Sequence, residues 1–564
     1  MRQWLHETHN PFFELFRHFL RNFFSNDLVS NPRQAHAAAL IAIVPVLFQW
    51  FFLLIMPLNA KYAHLSALPN PGPYRDAVRA DELWLITLMM GCIGLLTAIK
   101  WQALFPDLSD YRCLGTLPLG ARQIFGAKLA ALLLVAAITL LMINSLPSLT
   151  FPFISQSRWA INEPLGLRLR AHLCASIAGC AFLFFSIVAL QGVLLNVLPP
   201  RTFGRVGGLL QGALIALTLA AIVVSFSIQP QVTQFLMNPV WGRWVPPIWF
   251  LGLYEKLVGT RDAYTGELAR FAIQNLLLVI VTAFSTYVLS YHRHRTLLVE
   301  GLTSFANRLT FGSILTRGLF FDPRQQAVAG FMWQTISRSG RHRTILMSYA
   351  GLSLAVILTG SIGMEKVVRP ERVAAADFIC FHVFAFLFFF VGVRHLFSIP
   401  TELKANWIFQ ITENEGRGAW LRAVDRFALC WGALLLLILP FPLEAQLLGW
   451  RSIAEATIMG GLGLISYERI FFIWEKLPFT CSRLAGQTPT GIILAFLGLL
   501  GAVAVLQSLL IELLFHDAAL VIAMAVSFAV CIYLDRRRRA DWAELPLKYE
   551  ELPEPAVHAL NLLK

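Results

Sequence analysis

Charge is scarce in this chain. Only 14% of its 564 residues are Asp, Glu, Lys or Arg, against roughly 25% in an ordinary soluble domain, while 57% are hydrophobic. A mean hydropathy of +0.63 leaves more apolar surface than a water-soluble fold can hide. No stretch between the apolar runs is long and mixed enough to build a packed core of its own. The eight cysteines include no Cys-x-x-Cys pair and no Cys/His set with zinc spacing, which argues against a disulfide framework and a structural metal. Gly-x-x-x-x-Gly-Lys-Ser/Thr is absent, and the nearest passage, Gly120 to Lys128, has the wrong spacing, so ATP is not bound by that device. Gly-x-Ser-x-Gly and His-Glu-x-x-His are missing too, and no cofactor or enzymatic activity is expected of this chain. Asp107 and Asp110 read as a solvated loop face, and His292 and His294 as part of a basic cluster beside a span.

The net charge of +13 raises nucleic acid as a partner, but the basic residues flank apolar runs instead of forming a patch with interleaved aromatics. Topology accounts for them better. Twelve apolar runs have the length that crosses ~30 Å of hydrocarbon as a helix. They cover roughly 37–57, 83–103, 127–149, 171–197, 207–228, 270–290, 343–363, 374–395, 424–447, 451–474, 490–514 and 517–535. With the N-terminus in the cytosol, about two-thirds of the 46 Lys and Arg residues fall on the cytosolic side, including the run Arg536 to Arg539 after the last span. Both termini are therefore expected inside. The first run starts too late and is too long for a cleavable signal peptide.

Before the first span, Phe12, Leu15, Phe16, Phe19, Leu20 and Phe23 recur at helical spacing opposite Glu14, Arg17, His18 and Arg21. This pattern predicts an amphipathic helix lying in the inner interface, its apolar face on lipid, with packing on other protein as the alternative. A second such segment, with Val328, Phe331, Met332 and Ile336 on one face, follows the sixth span. The chain thus reads as an all-α polytopic integral membrane protein of about twelve transmembrane helices. They form two parallel six-helix halves, each preceded by an interfacial amphipathic helix. The first half covers residues 1–300 and includes an outer segment at 229–269, the second covers 301–535, and a cytosolic tail follows at 536–564. At an offset of 292 residues, Leu104-Phe105 and Asp110-Tyr111-Arg112 are matched by Leu396-Phe397 and Glu402-Leu403-Lys404, a weak trace of duplication.

Ionisable residues are costly inside a membrane and mark relays when they occur. Asp377, Glu444, Glu455, Glu468 and Glu512 fall near span ends, and only His382 sits well within a run, where a hydrogen-bonded core histidine is the expected role. Gln49, Asn144, Gln274 and Asn275 are candidates for lining a cavity or for hydrogen bonding between helices. On the outer side, Trp241, Trp244, Pro246, Pro247, Trp249 and Tyr254 predict short helices at the interface, and Trp244, Pro246, Pro247 and Trp249 are candidates for an outer gate.

Two passages carry a resemblance. One runs from Phe105 to Lys128 and contains Asp107, Asp110-Tyr111-Arg112, Leu114, Leu117-Pro118 and Arg122; the other is Pro246-Pro247-Ile248-Trp249-Phe250. Together with the leading amphipathic helix, they resemble the permease subunits of ABC-type exporters of the second, non-canonical class. The resemblance covers the first half; the second lacks the Leu-Pro pair and the outer helices. It implies that the first helix is an elbow, the loop after span two carries a coupling helix, and the outer segment is re-entrant. It also implies ATP-binding partner subunits on the cytosolic face and a bacterial inner-membrane location. Asp110, Tyr111, Arg112, Leu114 and Arg122 would then meet one ATPase, and Glu402, Lys404 and Arg417 the other. A secondary active transporter with two six-helix halves is the alternative, and a membrane-embedded lipid-modifying transferase a more distant one.

Overall fold

The computed structural model describes residues 11–24, 55–105, 121–300, 320–365, 371–401, 406–412, 417–481 and 517–549, save a few positions within those ranges. The described residues are largely helical with no strand among them, as expected where hydrocarbon cannot satisfy an open backbone. Among them, six helical segments are long and apolar enough to cross a membrane: Gly72–Ile99, Arg122–Ile154, Leu165–Val197, Val206–Ser225, Ala263–Ser290 and Ala518–Arg538. Most of the first apolar run and all of the eleventh lie outside the described residues. The chain divides into two compact units, Met1–Thr303 and Ser304–Lys564.

In the first unit, α1 (Pro11–Phe24) seats Leu15 and Phe19 against Ile124, Ala127 and Ala131 of α4 (Ala121–Ile154). Its apolar face therefore packs on protein, the alternative to the favoured lipid contact, while Phe13 stays exposed on another side. Helical periodicity reports that a face is apolar but not what covers it. The short α2 (Met56–Ala67) leads into α3 (Gly72–Ile99), whose 28 residues reach ~42 Å and form the centre of the unit.

Helix α5 (Leu165–Val197) lies parallel to α3: Glu82 meets His172 near one end, and Gln191 donates to the Trp101 carbonyl at 3.0 Å near the other. Helix α6 (Pro200–Ser225) runs the opposite way, with Gln211 donating to the Ala98 carbonyl at 3.0 Å and Phe226, just past its end, against Trp84. Close approach depends on Gly94, where a Cβ would stand 2.6 Å from Leu183 and 2.7 Å from Thr218. The long α10 (Ala263–Glu300) exposes Ile273, Leu277, Val281 and Val288 along one face, an apolar stripe suited to lipid.

Between α6 and α10 come α7 (Pro230–Leu236), α8 (Pro239–Gly242) and α9 (Pro246–Val258). The 13 residues of α9 span ~20 Å, too little to cross. Even so, Ile248, Phe250, Leu251 and Tyr254 are buried in the main apolar core with α3, α5 and α10. At Gly252 a Cβ would come within 2.5 Å of Leu268, so α9 and α10 nearly touch backbones. Gly259, at φ 104°, supplies the left-handed residue that ends α9.

In the second unit, Asp322 caps α11 (Pro323–Arg338) by accepting from the Arg324 amide at 2.9 Å. Val328, Met332 and Ile336 of α11 are buried, and Phe331 rests on Phe409 and Phe479, so this helix also lies on protein. Helices α12 (Gly340–Glu365) and α13 (Glu371–Phe397) pack together, and the short α14 (Asn406–Thr412) follows. The ninth apolar run is not one helix. It breaks into α15 (Arg417–Ala433), a π-helical turn at Leu434–Ile438 and α16 (Phe441–Leu448), because Pro440 and Pro442 interrupt the backbone ladder. After Gly449, α17 (Arg451–Ile470) leads off, and α18 (Asp517–Glu544) packs on it. Arg536 to Arg539, expected as the start of a tail, continue α18 without a break.

Candidate functional site: buried polar layers in each unit

The first turns of α3 are polar where the rest is apolar, and they bury Asp81 and Glu82, with Arg79 beside them partly exposed. Glu82 Oε1 lies 2.7 Å from His172 Nδ1, and neither side chain is exposed. Glu82 Oε2 and His172 Nε2 are buried with no hydrogen-bond partner among the described residues. One proton must sit between the two contacting atoms, and its owner depends on the histidine tautomer. Alongside, Asp81 accepts from Lys61 at 2.7 and 2.8 Å and from the Tyr62 hydroxyl at 2.7 Å, tying α2 to α3. Burial and the Asp81 carboxylate push the Tyr62 phenol well above its ordinary pKa, so it remains a donor.

Arg168 stands one turn before His172 on α5 and is 1% exposed. Its guanidinium donates to the Ser155 hydroxyl at 2.6 Å and the Ser155 carbonyl at 3.2 Å, while the Tyr74 hydroxyl donates to the same carbonyl at 2.6 Å. Arg79 reaches across to Glu255 near the end of α9 at 2.5 Å. Four helices thus converge on one layer of paired charges, in which Asp81, Glu82, Arg168 and Glu255 are buried while Lys61 and Arg79 keep part of their side chains exposed.

Deeper along α5, Asn144 of α4 is fully buried, accepts from Ser176 and lies 3.5 Å from the Cys180 sulfur. Of the two roles open to it, hydrogen bonding between helices is the one observed. Asn275 donates to the Phe271 carbonyl of its own helix at 2.9 Å, and Gln274 is exposed.

The second unit holds two polar layers at opposite ends of α17. At its start, His382 Nε2 of α13 lies 2.9 Å from Glu444 Oε1 of α16, each 1% exposed. Glu455 of α17 is 2% exposed, and neither carboxylate oxygen has a hydrogen-bond partner among the described residues. Near the other end, the Tyr467 hydroxyl donates to Asp425 of α15 at 2.5 Å. Arg538 of α18 pairs with that same Asp425 and, at 2.8 Å, with Glu468. Thirteen positions separate Glu455 from Glu468, so the layers stand ~20 Å apart. His382, Glu444, Glu455 and Glu468, scattered in sequence, are therefore organised into layers that periodicity could not assemble.

The candidate coupling residues are placed less fully. Asp110, Tyr111, Arg112, Leu114, Glu402 and Lys404 lie outside the described residues, as do Gln49 and Glu512. Arg122 is exposed in the first turn of α4, and Arg417 opens α15. Of the outer-gate candidates, Trp244 is 81% exposed in the turn before α9, and Pro246 and Pro247 open that helix. Trp249 donates its indole N–H to the Gly242 carbonyl at 2.9 Å and rests on Phe182 and Phe271.

Sequence reasoning passed over Asp81, Glu82, Arg168 and His172. A signal was present: two acids at the mouth of one apolar run, and an arginine and a histidine four apart at the mouth of another. Among the described residues, no group of three or more His, Cys, Asp or Glu side chains is arranged to hold a metal ion. No protein-family profile matches the chain, and neither a characterised protein nor a solved structure is similar to it.

Proposed function

We propose that the chain is the membrane-spanning permease of an ATP-driven export system, working with separate ATP-binding subunits docked on its cytosolic face. The observation that carries this reading is α9. Its two neighbours in the chain, α6 and α10, bring the backbone to and from the same end of the first unit. Trp249 at its start meets Phe182, about halfway along α5, while Glu255 near its close pairs with Arg79 in the early turns of α3. A helix too short to cross, buried among long apolar helices and re-emerging on the side it entered, is a re-entrant element of the kind expected at the mouth of a translocation pathway. Energy would enter mechanically, through ATP-driven movement of the loops around Asp110 and Glu402, and the helices of each half would rock as packed bodies. The location is a bacterial inner membrane with both termini cytosolic.

A secondary active transporter is the second reading. The Glu82–His172 and His382–Glu444 pairs favour it, because buried imidazole–carboxylate pairs in apolar helices suit proton relays. Co-purification separates the two. A tagged copy extracted in mild detergent is expected to bring down a nucleotide-binding subunit. Recovery of the chain alone, combined with substrate movement driven by a proton gradient in vesicles, would favour the secondary transporter.

A further inference from the structure

The start of α17 gathers three ionisable groups where water is excluded. His382 and Glu444 satisfy one another at 2.9 Å. Glu455 is different: it is 2% exposed, both its oxygens lack a hydrogen-bond partner among the described residues, and it lies beside the His382–Glu444 pair. A buried carboxylate with no donor and a second carboxylate nearby is expensive as an anion, whereas the neutral acid removes both the desolvation and the repulsion.

Among the described residues, no hydrogen bond or ion pair from another cation reaches the Glu455 carboxylate. Helix α13 contributes His382 and α16 contributes Glu444. The π-helical turn, Leu434–Ile438, contributes only apolar side chains. Asp425 of α15 and Arg538 of α18 are engaged with each other and with Tyr467 and Glu468 at the far end. On α17 itself Arg451 stands one turn before Glu455, its guanidinium over the Trp450 ring at 5.8 Å.

We propose that this cluster is a proton-binding site, with H⁺ as its ligand and the Glu455 carboxyl as its carrier. Binding forms one O–H bond on Glu455. Release breaks that bond, leaves the electron pair on the carboxylate and delivers the proton to water. The anion left behind favours the imidazolium form of His382, so loading and unloading redistribute charge among α13, α16 and α17, the elements that meet at the break after Pro440. The proposal concerns the second unit alone and does not depend on an ATPase partner.

The test is infrared spectroscopy of the purified full-length chain in detergent at neutral pH, in H₂O and D₂O, comparing wild type with Glu455→Gln. A deuterium-sensitive band of a protonated carboxyl is expected in the wild type and should be lost in the variant. Thermal unfolding gives an independent reading. A folded-state acid that keeps a proton already lost by the unfolded chain makes stability fall as pH rises above the ordinary carboxylate range, and Glu455→Gln should make that slope shallower than in the wild type. If Glu455→Gln does not fold, Glu455→Met serves for both the spectral and the stability comparison. Identical protonated-carboxyl spectra in wild type and folded variant would overturn the proposal, as would wild-type stability that does not fall with rising pH.

Discussion

Glu82 and His172 stand 90 positions apart in the sequence and meet at 2.7 Å with neither side chain exposed, so the pair fixes the register of two parallel helices. Removing both partners should cost less than the two single losses added together. His172→Ala leaves a buried carboxylate without its partner, a loss of ~3–5 kcal/mol for a broken buried pair. Glu82→Gln combined with His172→Ala should be less destabilising than the two single losses added together. Thermal unfolding of the four proteins in detergent measures the coupling, and strict additivity would mean that the contact contributes nothing.

A similar contrast applies to the basic run at the end of α18. Arg538 is held by Asp425 and Glu468, whereas Arg536 and Arg537 are exposed. Arg538→Ala is expected to destabilise the second unit by about 3–5 kcal/mol, because it strands a buried acid, while Arg536→Ala should stay within ~0.5 kcal/mol. Equal effects would return the whole run to a purely topological role.

The all-α, membrane-like character could be read from apolar runs, since helices are the only open-ended way to carry a backbone through hydrocarbon; six of the described helices are long and apolar enough to cross. The short helix α9 was also legible, because Pro246 and Pro247 preset a helix start that an aromatic run then follows. What escaped was long-range. A search window for apolar runs begins after Glu82 and at Ala171, so the acids and Arg168 fall at its edge and His172 passes as an isolated polar residue. The break at Pro440 was hidden for the opposite reason: the leucines around it keep the run apolar while the backbone turns. The apolar face of α1 was legible as a face, but its partner, Ile124 with Ala127 and Ala131, lies a hundred residues further along the chain.

Topology gives a prediction independent of packing. Reporter fusions after Gly340 and after Lys564 should both report the cytosol, as the distribution of Lys and Arg requires. An external signal at either position would overturn the orientation.

The sequence from Phe105 to Lys128 mixes Leu108, Tyr111, Leu114 and Leu117 with Asp107, Asp110, Arg112 and Arg122, a composition suited to docking a partner. Tyr111→Ala or Leu114→Ala should release or uncouple the ATP-binding partner, at a cost in binding of ~2 kcal/mol or more if either is a central anchor. Asp110→Ala should be milder and act mainly through association and its salt dependence. Protein amount and thermal stability are expected to hold in all three, which separates lost docking from a loop that merely caps two spans.

ATP hydrolysis is the measurement closest to the central claim. The purified chain should hydrolyse none, since it encodes no phosphate-cradling Gly-Lys loop, and activity should appear only in preparations where a nucleotide-binding subunit accompanies it. Hydrolysis by the chain alone, abolished by a substitution within it, would contradict the account; so would extraction in mild detergent that never recovers such a subunit.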